Sequence, residues 1–272
     1  MNQKQLLATF GLKWNPFSPE LPDEALITTP LIDDFLWRVE GLVLDGGFAL
    51  VTGESGLGKS VILRLLERRL SQLKEVHVAE FSRPQSGLSD FYRELGYLFG
   101  IELRSSNRWG GFKSLREQWK AHIEASMFRP VLIIDEAQEM PHLVLSELRL
   151  LASMHFDSQA VLCIILGGDN RLSEKLRARD LIPLGTRIRT RLNLEPYSKE
   201  QLTELLTKSL SLAGAAKLMT KGLINTLVEH ANGNPRVMNT IANEVLMLGL
   251  KKEVNPLSED LFIDTLPAKK RA

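Results

Sequence analysis

Short apolar runs alternate with helical patterns through the first two thirds of the chain. The apolar runs lie at about 48–52, 76–81, 131–134 and 161–166, and a more polar run spans about 189–194. The runs at 131 and 161 are continuously apolar, which is typical of strands covered on both faces. Helical periodicity fills the intervals, for example over about 30–44 and 88–99. Because strands and helices alternate, the pattern predicts an α/β fold with a parallel five-stranded sheet.

The pattern changes near Pro196, after which no strand signal returns. Ser198 is a candidate N-cap for a helix over 199–212, and helical periodicity continues over 219–231 and 235–249. The first thirty residues are instead rich in proline and aromatic residues, which indicates an ordered arm packed on a domain. The sequence therefore predicts an N-terminal arm (1–29), an α/β core (30–195), a small all-helical lid (196–265) and a disordered tail (266–272).

Composition excludes disordered, collagen-like and other fibrous proteins. The 272 residues are 44% hydrophobic and 25% charged, as in ordinary globular proteins, and 34 basic against 33 acidic residues give a net charge of +1, which by itself indicates neither a nucleic-acid nor a membrane partner. The single cysteine, Cys163, lies in an apolar run, which favours a buried side chain over a nucleophile. Without a signal-peptide pattern or an apolar stretch of about 20 residues, we expect a cytoplasmic protein with no membrane partner.

A glycine-rich loop directly follows the first apolar run. Residues 53–60 read G-E-S-G-L-G-K-S and fit the phosphate-loop pattern G-x-x-x-x-G-K-[ST], between a predicted strand and a predicted helix. Backbone N–H groups of such a loop surround phosphate oxygens, and the helix adds its positive N-terminal end. This pattern assigns Lys59 to the β- and γ-phosphates and the Ser60 hydroxyl to Mg²⁺. The predicted nucleotide contacts are Gly53, Glu54, Ser55, Gly56, Leu57, Gly58, Lys59, Ser60 and Val61.

Two acidic residues end the apolar run at 131–134. Asp135 and Glu136 are expected at the carboxyl edge of the sheet, where α/β proteins bind ligands. Asp135 is predicted to hold Mg²⁺, and Glu136 to orient and deprotonate the water that attacks the γ-phosphate. The alternative is that both acids merely solvate a strand end, but the phosphate loop upstream favours the functional interpretation.

These features resemble the AAA+ ATPases over about residues 6–265, and most of all the branch that contains the ExeA/GspA-type secretion ATPases and the TnsC, TniB and MuB transposition regulators. Five segments carry the resemblance: F-G-L-K-W-N-P-F at 10–17, D-E-A-Q at 135–138, G-D-N-R-L at 168–172, T-R-I at 186–188 and G-N-P-R at 233–236. The resemblance implies an AAA+ P-loop core followed by a helical lid. It also implies a Mg²⁺-dependent ATP hydrolase that binds ATP between the subunits of a homo-oligomeric ring or helical filament.

The resemblance further implies roles for single residues. Asn15, Pro16 and Phe17 would lie near the adenine, and Arg236 would be sensor 2 on the lid. Sensor 1 would be Asp169 or Asn170, although aspartate stands where the family pattern usually has glutamine. Arg187 would be the finger that reaches a neighbour's nucleotide, with Arg189, Arg191 and Arg177 as rivals. A finger supplied in trans implies slow hydrolysis that assembly stimulates.

Basic residues are concentrated between positions 104 and 120, where Glu117 is the one acid. Basic side chains neutralise nucleic-acid phosphates without reading sequence, and in the transposition regulators the corresponding region faces DNA. One interpretation is a loop that follows the DNA backbone through Arg104, Asn107, Arg108 and Lys113. The alternative is a solvated helix face with Trp109 and Phe112 in the core. Residues 171–191 are also basic, and a subunit interface explains them as well as DNA does.

The resemblance makes regulation of DNA transposition the leading function. In that role the protein assembles with ATP on double-stranded DNA and selects or presents the target to a transposase, with a target-site adaptor protein as a further partner. An ExeA/GspA-like secretion-pathway assembly ATPase is the first alternative; it ranks second because such proteins continue into a membrane span and a peptidoglycan-binding part, for which 272 residues leave no room. A nucleotide-switched protein scaffold with little hydrolysis is the other alternative.

Overall fold

A computed structural model describes residues 3–101, 108–126, 128–155 and 158–265. The helices are α1 (Gln3–Phe10), α2 (Pro30–Asp45), α3 (Lys59–Ser71), α4 (Leu88–Leu98), α5 (Arg108–Ser126), α6 (His142–Leu151), α7 (Asn170–Lys175), α8 (Ile182–Gly185), α9 (Lys199–Leu212), α10 (Lys221–Ala231), α11 (Pro235–Lys252) and α12 (Glu259–Thr265). The strands are β1 (Gly47–Gly53), β2 (Val76–Phe81), β3 (Arg129–Ile134), β4 (Ser153–Met154), β5 (Gln159–Ala160), β6 (Cys163–Gly168) and β7 (Ile188–Leu194). Two 3₁₀ turns cover Asp23–Ala25 and Ala137–Glu139.

The described residues group into two compact units. The α/β unit comprises 29–55 and 59–194, with the gaps given above, and the helical unit comprises 3–28, 56–58 and 195–265. The predicted tail at 266–272 lies outside the described residues.

The α/β unit is built on a parallel five-stranded sheet in the order β2-β3-β6-β1-β7. This confirms the fold class predicted from the sequence. The register pairs Ile134 with Leu166 and Thr52 with Gly168, so β3, β6 and β1 end at one edge of the sheet. The carboxyl ends of three strands, and the loops that follow them, are therefore brought together there.

The central strand β6 and its neighbour β3 are buried along almost their whole length. Aromatic and aliphatic side chains of α4 and α6 cover the sheet, and Phe91, Leu95, Leu145 and Leu148 are each fully buried in the same cluster as Leu132 and Ile164. Burial on both faces explains why these two segments read as continuous apolar runs instead of alternating ones.

The fourth strand differs from its sequence-based bounds. The apolar run at 161–166 predicts a strand there, but β6 begins at Cys163 and extends through Gly168. The backbone N–H of Val161 donates to Ala152 O at 2.8 Å, next to the β4–β5 pairing of Ser153 with Ala160, so the start of the run continues this two-stranded hairpin. At its other end β6 extends two residues beyond the apolar run, so Gly167 and Gly168 are part of the strand at the carboxyl edge of the sheet.

The helical unit combines α9 to α12 with the N-terminal arm. Leu6, Phe10 and Phe17 of the arm are buried in one cluster with leucines of α9 and α10. Ser198 forms a capping box with Gln201 at the start of α9, as predicted, and Asn234 caps α11. Side-chain caps at these helix starts satisfy backbone donors that the helices leave free.

Among the helices of the described part of the chain, none is both long enough and apolar enough to pass through a lipid bilayer.

Candidate functional site

The predicted phosphate loop connects β1 to α3. Lys59, the first residue of α3, is 6% exposed, and its Nζ donates to the carbonyl oxygens of Gly53 at 2.9 Å and Glu54 at 3.0 Å. Gly58 has φ +103°, a conformation that side chains rarely adopt. A Cβ on Gly53 would lie 2.9 Å from the backbone oxygen of Leu194 on the neighbouring strand. Glycine is therefore required at both positions, and the loop folds back on the lysine ammonium.

The two predicted Mg²⁺ ligands are in direct contact. Ser60 Oγ donates to Asp135 Oδ2 at 2.8 Å, and the other oxygen of Asp135 accepts the backbone N–H of Glu136 at 2.8 Å. A serine hydroxyl and a carboxylate are the oxygen ligands that Mg²⁺ prefers, so this pair fits the ion.

A cavity of about 380 Å³ opens beside the Ser60–Asp135 pair. It is lined by Ser60, Leu63, Arg64, Glu67, Val78, Glu80, Ile133 and Asp135. Three of these side chains are carboxylates and one is an arginine, so the charged part of the lining is mainly acidic, and Leu63, Val78 and Ile133 form its apolar part.

Glu136 follows β3 in a left-handed backbone conformation, with φ 52° and ψ 37°. A residue other than glycine costs of order 1–3 kcal/mol in such a sparsely populated region, and residues of this kind cluster at active sites. The side chain is exposed, and its carboxylate accepts a hydrogen bond from Nε2 of Gln138. Glu136 thus lies one residue beyond Asp135, the predicted Mg²⁺ ligand, and its carboxylate is held by Gln138.

The end of β6 lies next to this turn. Asp169 caps α7 by accepting the backbone N–H of Arg171 at 2.9 Å, and its carboxylate also accepts from Arg171 Nε at 2.9 Å. The Arg171 guanidinium lowers the pKa of Asp169 below its ordinary value. Asn170, the first residue of α7, is exposed. The role of sensor 1 for Asp169 or Asn170 stays a prediction.

Lys175, Arg171 and Glu139, to which the sequence analysis assigned no role, connect the turn after β3 to α7. Lys175 Nζ donates to the backbone oxygens of Gln138 at 2.7 Å and Met140 at 2.5 Å, while Arg171 reaches Glu139 at 2.8 Å. Burial lowers the pKa of Lys175 below its ordinary value. The one sequence signal for this network is the polar Gln138 inside the D-E-A-Q segment, because the other contacts join residues far apart in sequence.

The candidate arginine fingers lie around α8. Arg187 Nη1 donates to Pro183 O and Arg191 Nη2 to Gly185 O, each at 2.7 Å. Arg189 and Arg191 occupy exposed positions of β7, which alternates buried and exposed residues along its length. A cavity of about 480 Å³ beside α8 includes Arg177 and Arg191 in its lining. The structure thus places Arg187, Arg191 and Arg177 around α8, and the choice among the four candidates stays a prediction.

The remaining predicted nucleotide contacts belong to the helical unit. Asn15 Nδ2 donates to Asn243 Oδ1 at 2.9 Å, and the Asn15 side chain accepts the backbone N–H of Phe17 at 3.0 Å, so the N-P-F segment forms a fixed turn. Arg236 is the second residue of α11, and its backbone N–H donates to Asn234 Oδ1 at 3.0 Å and to Gly56 O at 3.3 Å. The adenine and sensor 2 roles stay predictions.

The predicted DNA-binding segment is described in part. Arg104 and Asn107 lie outside the described residues, and Arg108 begins α5. Lys113 is exposed and lies 3.7 Å from Glu117 one turn later. Trp109 is 74% exposed and stacks on Phe112. The alternative is therefore wrong for Trp109, which lies in the first turn of α5 on the solvent side, whereas Phe112 is partly buried and packs against the core as that alternative expects.

Cys163 begins β6 at the centre of the sheet and is fully buried. Burial raises the pKa of its thiol to about 12. The thiol therefore stays protonated at neutral pH, as expected for a side chain that only packs.

Comparisons with known proteins agree with this geometry. Residues 43–176 match the family model described as AAA domain. The chain is 30% identical over 243 residues to General secretion pathway protein A of Aeromonas hydrophila, an alignment that covers 88% of this chain and 44% of that protein. The chain thus spans less than half the length of this curated relative.

Solved structures share the fold at low sequence identity. Cdc6p from Pyrobaculum aerophilum superimposes with a TM-score of 0.67 at 17% identity, covering 93% of this chain and 74% of that one. The Aeropyrum pernix ORC2 protein gives 0.66 at 14%, with 91% and 70% covered. The Thermotoga maritima RuvB Holliday junction branch migration motor gives 0.60 at 17%, with 92% and 72% covered. Residues 43–176 thus resemble an AAA domain in sequence, and the chain shares its fold with these solved structures.

Proposed function

We propose that this protein is a Mg²⁺-dependent ATP hydrolase. The observation that carries the proposal is the 2.8 Å contact between Ser60 of the phosphate loop and Asp135 at the end of β3. These residues are far apart in sequence, and the sheet brings together the two oxygen ligands that phosphoryl-transfer enzymes use.

The phosphate loop would bind the triphosphate. Lys59 would exchange the carbonyls of Gly53 and Glu54 for β- and γ-phosphate oxygens, and backbone N–H groups of residues 53–61 would surround the remaining oxygens. Ser60 and Asp135 would hold Mg²⁺, which when bound offsets the negative charge that develops on the phosphates. The buried position of Lys59 strengthens its attraction to phosphate because little water screens it.

Glu136 would supply general-base catalysis. Its carboxylate would orient the attacking water and accept its proton, while the terminal phosphate leaves ADP in line. Asp169 or Asn170 would sense the γ-phosphate at the end of β6. In the assembled ring or filament, Arg187 would reach the nucleotide of a neighbouring subunit. Arg236 would act as sensor 2 and contact the nucleotide of its own subunit from the helical lid.

The nucleotide site is tested by replacing Lys59. Lys59→Ala is expected to abolish ATP binding in a titration with a fluorescent ATP analogue. Lys74→Ala, at an exposed position before β2, is the matched control and should bind normally. Unchanged affinity of Lys59→Ala for nucleotide would refute the assignment of the phosphate loop.

Catalysis is tested by replacing Glu136. Glu136→Gln keeps the size and a hydrogen-bond acceptor for Gln138 but removes the basic group. We expect kcat to fall by about 10²–10⁴-fold, as is typical when a general base is lost, while ATP still binds. The variant should accumulate as an ATP-bound assembly in size-exclusion chromatography. Wild-type hydrolysis by Glu136→Gln would remove this residue from the mechanism.

For the biological role, we propose ATP-dependent assembly on double-stranded DNA that presents a transposition target to a transposase. The support is the basic segment around α5, where Lys113 and Trp109 are exposed. DNA affinity should require ATP and fall as salt rises, because each neutralised phosphate releases counterions. Lys113→Ala should weaken binding and reduce the salt dependence, whereas Lys208→Ala on α9 should not. If no binding to duplex DNA occurs with ATP at low salt, this role is refuted.

A second candidate role is assembly of a secretion pathway. The similarity to General secretion pathway protein A favours it. The two roles differ in their cellular consequences. Loss of the protein should lower transposition frequency under the first proposal and export of secreted proteins under the second. A variant that cannot bind DNA but restores export would decide for the second role.

A further inference from the structure

Gln138 lies immediately beyond the acidic end of β3, in the 3₁₀ turn Ala137–Glu139, and is 6% exposed. Both ends of its side-chain amide are used. Nε2 donates to the Glu136 carboxylate, and Oε1 accepts the backbone N–H of Asp169 at 3.2 Å. One buried amide thus connects the general base after β3 to the end of β6.

The turn that carries Gln138 is fixed from α7. Lys175 Nζ donates to the backbone oxygens of Gln138 and Met140, and Arg171 pairs with Glu139. Gly168, at the end of β6, leaves the space that the amide fills, since a Cβ there would lie 2.7 Å from Gln138 Oε1. The amide is therefore held in one place by its own bonds, by two cationic side chains and by the absence of a side chain on Gly168.

This arrangement needs a side chain that both donates and accepts. A buried carboxylate at 138 could accept from Asp169 but could not donate to Glu136, and an apolar side chain could do neither. Glu136 itself is exposed, and within the described part of the chain its carboxylate is held by the hydrogen bond from Gln138. The amide bonds one oxygen of Glu136, Oε2, and the proposed mechanism assigns the attacking water to this same carboxylate.

We propose that Gln138 is a positioning residue for ATP hydrolysis. Its amide holds the Glu136 carboxylate at a fixed distance from the backbone of Asp169, so that the base and the proposed sensor 1 segment keep a constant geometry. The proposal rests on the proposed function, because it concerns the orientation of the same base. Gln138 does not touch the reacting atoms; it acts through Glu136.

The test uses the full-length protein and three variants. Gln138→Met keeps the length of the side chain and removes both hydrogen bonds. Gln138→Glu keeps the acceptor for Asp169, and, assayed at a pH that ionises both carboxyl groups, it has no proton to donate to Glu136. Gln118→Met on α5 is the matched control, because Gln118 is also partly buried and donates to a backbone oxygen, Phe99 O, at 3.4 Å.

We expect both Gln138 variants to lower kcat by about ten- to a hundredfold, the usual effect of removing a group that orients a functional side chain. The Kd for an ATP analogue should change less than about threefold, since no phosphate contact is lost. Gln118→Met should match the wild type in both quantities.

A double-mutant cycle separates positioning from a merely structural role. If Gln138 acts through Glu136, adding Gln138→Met to Glu136→Gln should leave the single-turnover rate unchanged. An equal loss of rate in both backgrounds would overturn the proposal, as would wild-type kcat in both Gln138 variants. Should Gln138→Met fail to fold, Gln138→Glu carries the same cycle.

Different results would overturn ATP hydrolysis by this protein and the positioning role of Gln138. If the wild type does not hydrolyse ATP at all, the proposed function and this inference both fall. If the wild type hydrolyses ATP, Glu136→Gln does not, and Gln138→Glu hydrolyses at the wild-type rate, only the role of Gln138 is overturned.

Discussion

Replacing Gly168 by alanine should destabilise the α/β unit and slow ATP hydrolysis, although the backbone at this position suits any residue. The added Cβ would lie 2.7 Å from Gln138 Oε1, 2.7 Å from Leu172 Cδ2 and 3.1 Å from Leu172 Cβ. Carbon atoms in contact normally lie about 3.5–4.0 Å apart, so the overlap with Leu172 is close to an ångström. Leu172 is fully buried and cannot move aside without disturbing the core.

The magnitude follows from the two contacts. Forcing an extra methyl group into a packed core costs about 1–3 kcal/mol of unfolding free energy. Displacement of the Gln138 amide should also weaken its hydrogen bonds to Glu136 and Asp169. We therefore expect a loss of kcat in addition to the loss of stability.

Gly41→Ala is the matched control for the same chemical change. Gly41 lies on the exposed side of α2, and a Cβ there would meet nothing within 4 Å. Alanine is favoured over glycine inside a helix by about 0.5–1 kcal/mol, so this variant should be more stable than the wild type. The two glycine-to-alanine changes thus have opposite expected signs.

Urea unfolding followed by circular dichroism, together with steady-state ATPase rates, provides the measurement. A lower unfolding midpoint for Gly168→Ala and a higher one for Gly41→Ala, at unchanged m-values, is the expected result. The packing argument is refuted if Gly168→Ala unfolds at the wild-type midpoint, or if the two variants shift in the same direction.

Three further predictions concern buried groups. Iodoacetamide at pH 8.5 should label Cys163 in urea but not in the folded protein, because burial raises the pKa of this thiol to about 12; rapid labelling of the native state, seen by mass spectrometry, would contradict this. Lys175→Met should lower the free energy of unfolding by about 1–3 kcal/mol, since two charged hydrogen bonds to backbone oxygens are lost. Lys208→Met, which breaks an exposed ion pair with Glu204, should lower it by at most about 1 kcal/mol. Equal unfolding midpoints for the two variants would refute this difference. Tyr92→Phe should lower the free energy of unfolding by about 1–3 kcal/mol, because it removes the phenol that donates to the buried side chain of Glu147. A wild-type melting temperature would exclude a stabilising role for this hydrogen bond.

Local pattern was sufficient to predict most elements of the fold. Continuous apolar runs correspond to β3 and β6, and the capping box at Ser198 starts α9 where the sequence places it. The phosphate loop was also readable, because its glycines and lysine act within one short segment. Such features depend on neighbours in sequence, so spacing alone reveals them.

The bounds of β6 could not be predicted from the local sequence pattern. The apolar run at 161–166 does not distinguish residues that join the sheet from residues that only pack beneath it. A backbone hydrogen bond from Val161 to Ala152 decides the start of the strand, and that bond continues the β4–β5 hairpin. The exposure of Trp109 is similar, because an aromatic residue next to basic ones suits a core or a surface equally well.

An α/β core with a phosphate loop, an acidic strand end and a helical C-terminal part was readable from local sequence patterns. The contact of Ser60 with Asp135, and the link that Gln138 makes between Glu136 and the end of β6, became visible in the folded chain. These contacts arise from the strand order β2-β3-β6-β1-β7, which places β3 beside β6 and β6 beside β1. Pairing between strands is a long-range choice, made by the packing of the whole sheet and its covering helices, and no short segment of the chain carries it.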